Sequence, residues 1–176
     1  DGLTYTFHLR DSKFSNGDPL TADDFKFAWI RAMNPANAAE YAYKVADYIK
    51  GGAAYNAKKG NVEDVGIKVI DFKTLEVTLE NVTPYFLALL AFPTYFPVNK
   101  KVVEANNDWN IKTETFVSNG PFEMKYWAHN DKIVLMKNDN YWDTKSVNIT
   151  ELTFKFIEDP RAALTAYETG KVDGMD

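Results

Sequence analysis

The stretch that most constrains the fold is residues 4–31, TYTFHLRDSKFSNGDPLTADDFKFAWIR, which spells out a strand, a turn and a capped helix in order. Tyr5, Phe7 and Leu9 alternate with Thr6, His8 and Arg10, the period-two pattern of a half-buried strand. Asn16-Gly17-Asp18-Pro19 is turn chemistry, since glycine reaches positive φ freely and proline fixes the φ that follows. Thr21 stands three residues before Asp24, a capping-box spacing with Asp in place of the commoner Glu. Phe25, Ala28, Trp29 and Ala32 then recur at helical spacing, and Pro35 stops the run.

The rest of the chain reads as alternating short elements. Tyr41, Val45 and Tyr48 lie at i, i+4 and i+7, which predicts a second helix ending near Gly51-Gly52, with an exposed loop onward to Asn61. Residues 67–70 and 74–79 predict a hairpin, with Leu75, Val77 and Leu79 on its buried side. Thr83-Pro84 predicts a capped helix over residues 85–91, and Pro93 and Pro97 leave residues 92–98 extended and irregular. A short helix follows near Lys101. After Asn119-Gly120-Pro121 the pattern turns to strands at residues 122–126, 133–136 and 152–156, with a turn at His129-Asn130-Asp131. Asp159-Pro160 opens a helix that Gly170 closes, and residues 171–176 begin another strand. A chain ending on such a strand is expected to be an internal piece of something longer. The fold class is therefore mixed α/β (α+β).

Composition narrows function mainly by exclusion. An apolar content of 45% and an aromatic content of 15% exclude disorder and leave enough large side chains for both a core and a ligand surface. A net charge of −5 with interspersed lysines argues against nucleic acid, which needs clustered cations. The absence of cysteine removes disulfides, thiolate metal sites and cysteine nucleophiles. No apolar run approaches the roughly 20 residues of a membrane span.

No constellation stands out as chemistry. His8 and His129 have no second ligand at metal spacing, and no G-x-S-x-G occurs. The carboxylate pairs Asp23/Asp24, Glu63/Asp64 and Glu158/Asp159 are adjacent in sequence, whereas a glycosidase needs two carboxylates flanking a sugar. Asp23, Asp24 and Asp159 are accounted for at helix starts. Asp139, Asn140 and Asp143 lack the glycine and terminal glutamate of an EF-hand loop. Trp109, Trp127 and Trp142 are assigned to packing rather than to sugar stacking.

Taken as whole strings, these motifs carry more than their local physics. The segment YTFHLR…FSNGDPLTADDF, then SNGPF at 118–122, KNDNYW at 137–142, LTF at 152–154 and YETGKVD at 167–173 occur in order. Together they resemble the extracellular solute-binding proteins of peptide ABC transporters, the oligopeptide- and dipeptide-binding family 5. The resemblance implies a fragment of a periplasmic-binding-protein type II clamshell, a hinged fold that closes around a peptide. It implies a small extra lobe over residues 1–98, incomplete at its N-terminus, and part of the first binding lobe over residues 99–176. The far lobe, with the acid that grips the peptide amino terminus, falls outside this chain.

The family's aromatic contact to the peptide backbone falls on Tyr41 in NAAEYAY, set against a packing role beside Val45 and Tyr48. Asp176 departs from the aromatic that relatives carry there, and no role is transferred to it. The implied protein is a non-enzymatic, monomeric substrate-binding component needing no cofactor or metal. Its implied partners are an oligopeptide, a membrane permease and its ATPase, with no nucleic acid. Its implied place is the outer face of the cytoplasmic membrane, as a lipoprotein, or the periplasm, with the signal segment outside this chain. A peptide-sensing receptor on the same fold and a carboxylate-dependent glycoside hydrolase are the alternatives. A different solute, such as a nickel chelate or an oligosaccharide, stays open as ligand.

Overall fold

The computed structural model describes residues 2–175, so Asp176 lies outside the described residues. Strand β1 (Thr4–His8) pairs with β3 (Thr74–Thr78), which also pairs with β2 (Ile67–Asp71), giving an antiparallel sheet in the order β1-β3-β2. Tyr5 faces Val77 and Phe7 faces Leu75 across the ladder. The alternation in β3 sends Leu75, Val77 and Leu79 into the core, each essentially inaccessible to solvent. There they meet Ala28, Trp29 and Met33 of helix α1 (Ala22–Met33), together with Phe86 and Tyr95.

Helix α1 begins as its capping chemistry requires. The Asp24 amide donates to the Thr21 hydroxyl at 3.3 Å, and Asp24 Oδ2 accepts from the Thr21 amide at 2.9 Å and from its hydroxyl at 2.8 Å.

Four local expectations are corrected. The single helix expected after residue 41 is two short ones, α2 (Tyr43–Ala46) and α3 (Gly52–Asn56), the second occupying part of the expected loop. The cause is a rival use of the backbone. Ile49 bridges Leu79, the Lys50 amide donates to the Thr78 carbonyl, and the Glu80 amide donates to the Tyr48 carbonyl. Residues 48–50 thus extend the sheet, and their polar groups are lost to a helix. Gly51 then turns the chain with φ of 70°, where a Cβ would lie 2.6 Å from the Asp64 carbonyl oxygen.

Thr83 is not a cap. Its hydroxyl donates back to the Asn81 carbonyl, and helix α4 (Phe86–Leu89) is a single turn. Residues 92–98 are not wholly extended, because Pro93–Tyr95 forms a turn of 3-10 helix led by proline. Residues 171–173 are bends and 174–175 irregular rather than a strand, since no neighbouring strand among the described residues supplies a ladder.

After helix α5 (Lys100–Ala105), strands β4 (Phe122–Ala128), β5 (Lys132–Lys137) and β6 (Glu151–Lys155) form a second antiparallel sheet in that order. Helix α6 (Pro160–Glu168) is capped by Asp159, whose Oδ1 accepts from the Arg161 and Ala162 amides at 2.8 and 2.9 Å. Phe154, Phe156, Leu164 and Tyr167 of this region are exposed.

The two sheets meet along a polar seam built by the long opening motif. The Ser15 amide donates to the Ser118 carbonyl at 2.7 Å, and Asn140 Nδ2 donates to the Ser15 carbonyl at 3.1 Å. Asn99 Nδ2 donates to Asp18 Oδ2 at 2.9 Å, and the Lys100 amide donates to Asp24 Oδ1 at 3.1 Å. Buried Asn138 ties the same corner by donating to the Gly120 carbonyl and accepting from the Asn140 amide. The Arg10 guanidinium lies 3.8 Å over the Trp142 ring. The Asn99 and Asn16 amides hold the Asp18 carboxyl below its usual range.

Candidate functional site

Residues 38–44 leave α1 through a 3-10 turn and reverse at Ala38, which sits in the left-handed region with φ of 47°. That reversal delivers Tyr41 and Tyr43 to the surface, 46% and 48% exposed, while Ala42, Val45 and Ala46 between and after them are buried. Tyr41 therefore does not share the buried stripe of Val45; it lies in the turn ahead of α2. Its ring meets Phe92 edge-on with centroids 5.6 Å apart and Tyr43 at 6.3 Å. Lys44 completes the group, with Nζ 5.3 Å from the Tyr43 centroid and 5.5 Å from that of Phe92. The result is a surface ledge of two exposed rings, a half-buried third and one ammonium.

The ledge is held from beneath by Tyr95, which is 2% exposed. Its hydroxyl donates to the Lys44 carbonyl at 2.5 Å, while its own carbonyl accepts from Trp29 Nε1 at 2.7 Å. Trp29 and Tyr95 also pack edge-to-face at 5.3 Å. One buried tyrosine thus links the central helix to the backbone of the ledge. Burial pushes the Tyr95 phenol far above its ordinary range. Phe92 and Tyr95 escaped the sequence reading because nothing local links them to residues 41–44, which lie about fifty positions earlier. The only sequence cue was Pro93, which starts the turn carrying both.

Elsewhere the polar candidates are occupied by structure. Asp23 pairs with Lys100 at 2.8 Å, Asp64 accepts from the Asn61 amide, and Asp159 caps α6. His8 Nδ1 lies 3.4 Å from the Thr74 hydroxyl, and His129 packs on Trp127 with centroids 4.3 Å apart. Trp109 stacks with Phe116 and lies under Arg31. Among the described residues no three His, Asp or Glu side chains gather as a metal site, and no helix is long and apolar enough to cross a membrane. Two open concavities lie along the seam. One of about 440 Å³ is lined by Ser12, Lys13, Phe72, Lys73, Asn140 and Trp142. The other, of about 550 Å³, is lined by the already bonded Asp18, Thr21, Asp24, Asn99 and Lys100. Neither brings together a nucleophile, a base and an orienting acid.

Two small antiparallel sheets are joined by a hydrogen-bonded seam, and the aromatic ledge stands on the first of the two units. The chain belongs to the bacterial extracellular solute-binding proteins, family 5, whose middle-region model matches residues 1–176. It is 46% identical over 175 residues to the oligopeptide-binding protein OppA of Bacillus subtilis (strain 168), covering 98% of this chain and 32% of that protein. It is 41% identical over 174 residues to the dipeptide-binding protein DppE of the same organism, with the same coverage.

Solved structures agree. The substrate-binding domain of an oligopeptide ABC transporter from Bacillus anthracis str. Ames superposes with a TM-score of 0.92 at 43% identity, over 98% of this chain and 33% of that one. Listeria monocytogenes OppA bound to peptide superposes with a TM-score of 0.90 at 42% identity, over 97% and 34%. The chain spans about a third of the length of these relatives. The mixed α/β class and the family read from the motifs both hold.

Proposed function

We propose that this chain is part of the substrate-binding component of an ABC transporter, one that captures oligopeptides outside the cytoplasmic membrane and delivers them to a permease driven by an ATPase. The observation that carries the proposal is the 46% identity to an oligopeptide-binding protein across 98% of this chain. The motifs at residues 15–24 and 137–142, which the family resemblance rests on, supply bonds of the seam between the two sheets.

In this reading residues 1–98 are the small extra lobe and residues 99–176 are part of the first binding lobe. Tyr41 presents its ring and phenol to the peptide main chain, with Tyr43 and Phe92 beside it. A phenol serves as donor or acceptor, so it suits peptide backbone irrespective of side-chain sequence. The protein works as a monomer, without bond-making chemistry or cofactor. Ligand touching both lobes of the whole protein shifts it toward the closed state. Its place is the outer face of the cytoplasmic membrane, held there by a lipid anchor, or the periplasm.

A second reading of the ligand rests on a relative 38% identical over 174 residues, named a probable deoxycholate-binding periplasmic protein of Escherichia coli (strain K12). An aromatic ledge with one ammonium also suits an amphipathic carboxylate. Calorimetric titration of the full-length protein with short peptide pools and with deoxycholate separates the two. Micromolar or tighter peptide binding without deoxycholate heat is expected, and the reverse result moves the assignment to the second ligand.

A further inference from the structure

Lys44 differs from the five lysines that pair with a carboxylate among the described residues. Lys73, Lys100, Lys112 and Lys125 each lie within 3.0 Å of a carboxylate oxygen. Among the described residues Lys44 has no carboxylate at ion-pair distance, although Glu40 and Asp47 lie four before and three after it in sequence. Its ammonium is held instead near the faces of Tyr43 and Phe92. A ring face attracts a cation without neutralising it or using up its three donors. The backbone beneath is fixed at both ends: the Lys44 amide donates to the Tyr41 carbonyl, and its carbonyl accepts from Tyr95. A charged donor is thus positioned beside two ring faces on a half-buried side chain, with no carboxylate at ion-pair distance among the described residues, in a chain whose net charge is −5.

We infer that Lys44 is a specificity-determining residue that receives a carboxylate of the bound peptide while Tyr41, Tyr43 and Phe92 pack against the adjoining apolar part. The inference rests on the proposal that the ledge faces the peptide. The carboxylate has two sources, an acidic side chain or the peptide's own carboxyl terminus. Both supply the same planar acceptor, and a charge-assisted hydrogen bond to either is stronger than a neutral one.

The test uses the full-length protein and matched short peptides with Glu or Gln at each position, each made as free acid and as C-terminal amide. Lys44→Met keeps the apolar stem against the rings and removes the charge; Lys44→Arg keeps the charge. Lys44→Met is expected to weaken carboxylate-bearing peptides by roughly tenfold or more, with their neutral counterparts within about twofold, and Lys44→Arg to retain the preference. Loss confined to Glu over Gln identifies a side-chain carboxylate, and loss confined to acid over amide identifies the terminus.

Equal effects of Lys44→Met on charged and neutral peptides, or none on any, overturn the inference. Tyr41→Ala and Phe92→Ala tell that failure from failure of the underlying proposal. If they weaken every peptide while Lys44→Met discriminates against none, only the lysine's role is lost. If they too leave every affinity unchanged, the ledge does not meet the ligand, and both fall. Thermal melts confirm that each variant is folded.

Discussion

Tyr95→Phe removes one oxygen from the core beneath the ledge and tests how the ledge is supported. Tyr95 is 2% exposed, and its hydroxyl donates to the Lys44 carbonyl. The substitution leaves the ring contacts with Trp29 and Phe86 in place, so the packing loss is small. It removes a hydrogen bond worth about 1 kcal/mol net and leaves the Lys44 carbonyl facing an apolar ring, adding about 1 kcal/mol. A loss of about 1–2 kcal/mol is expected, read as a fall of roughly 2–8 °C in Tm at an unchanged urea m-value.

Two further readouts make the prediction specific. Amide exchange should quicken over residues 42–48 and not in the second sheet. The pH dependence follows from the raised phenol. Burial favours the neutral form in the folded state, so stability is fully present below about pH 10, the unfolded value, and falls as pH rises beyond it. The Phe variant lacks that contribution and should lose less stability than wild type on the alkaline side. An unchanged Tm, or exchange that quickens uniformly, would refute the reasoning that Tyr95 supports the ledge.

Other outcomes follow from the seam and from the chain's share of its relatives. Asp24→Asn should cost about 2–3 kcal/mol in thermal unfolding, because a 7% exposed carboxylate accepts from the Thr21 amide and hydroxyl and the Lys100 amide. Its neighbour Asp23→Asn, losing only a half-exposed pair with Lys100, should cost less than about 0.5 kcal/mol; equal losses would deny the cap its role. Residues 1–176 alone should bind peptides at least about a hundredfold more weakly than the full-length protein by calorimetry, since one side of a two-lobed site leaves half the ligand in water. Comparable affinities would mean that the crevice is complete within this chain.

What was legible in the sequence was what short-range chemistry decides. The alternation in residues 5–9, the Thr21–Asp24 box, the β2–β3 hairpin and the Asp159-Pro160 start of α6 all act within a few residues, and each stands where its pattern placed it. The errors have both remote and local causes. The helix expected across residues 41–51 breaks because residues 48–50 pair with residues 78–80, a competition that no local window contains. Thr83 has good capping chemistry, yet its hydroxyl turns back to Asn81.

The candidate site was legible only at Tyr41, and there through resemblance rather than physics. Its surface exposure, the Phe92 contact, the uncompensated Lys44 and the Tyr95 support come from tertiary placement across about fifty residues. The role of the 15–24 motif was equally hidden. Its turn chemistry was plain, but its partners Asn99, Lys100, Ser118 and Asn140 are remote.

The claim that the ledge meets the peptide is tested most directly by photo-crosslinking. A short peptide carrying a benzophenone side chain is bound to the full-length protein and irradiated, and the adduct is mapped by mass spectrometry. Attachment within residues 39–44 or at Phe92, suppressed by unlabelled peptide, is the predicted result. Attachment that is competed away by unlabelled peptide, yet falls everywhere except these residues at every label position, would contradict the account.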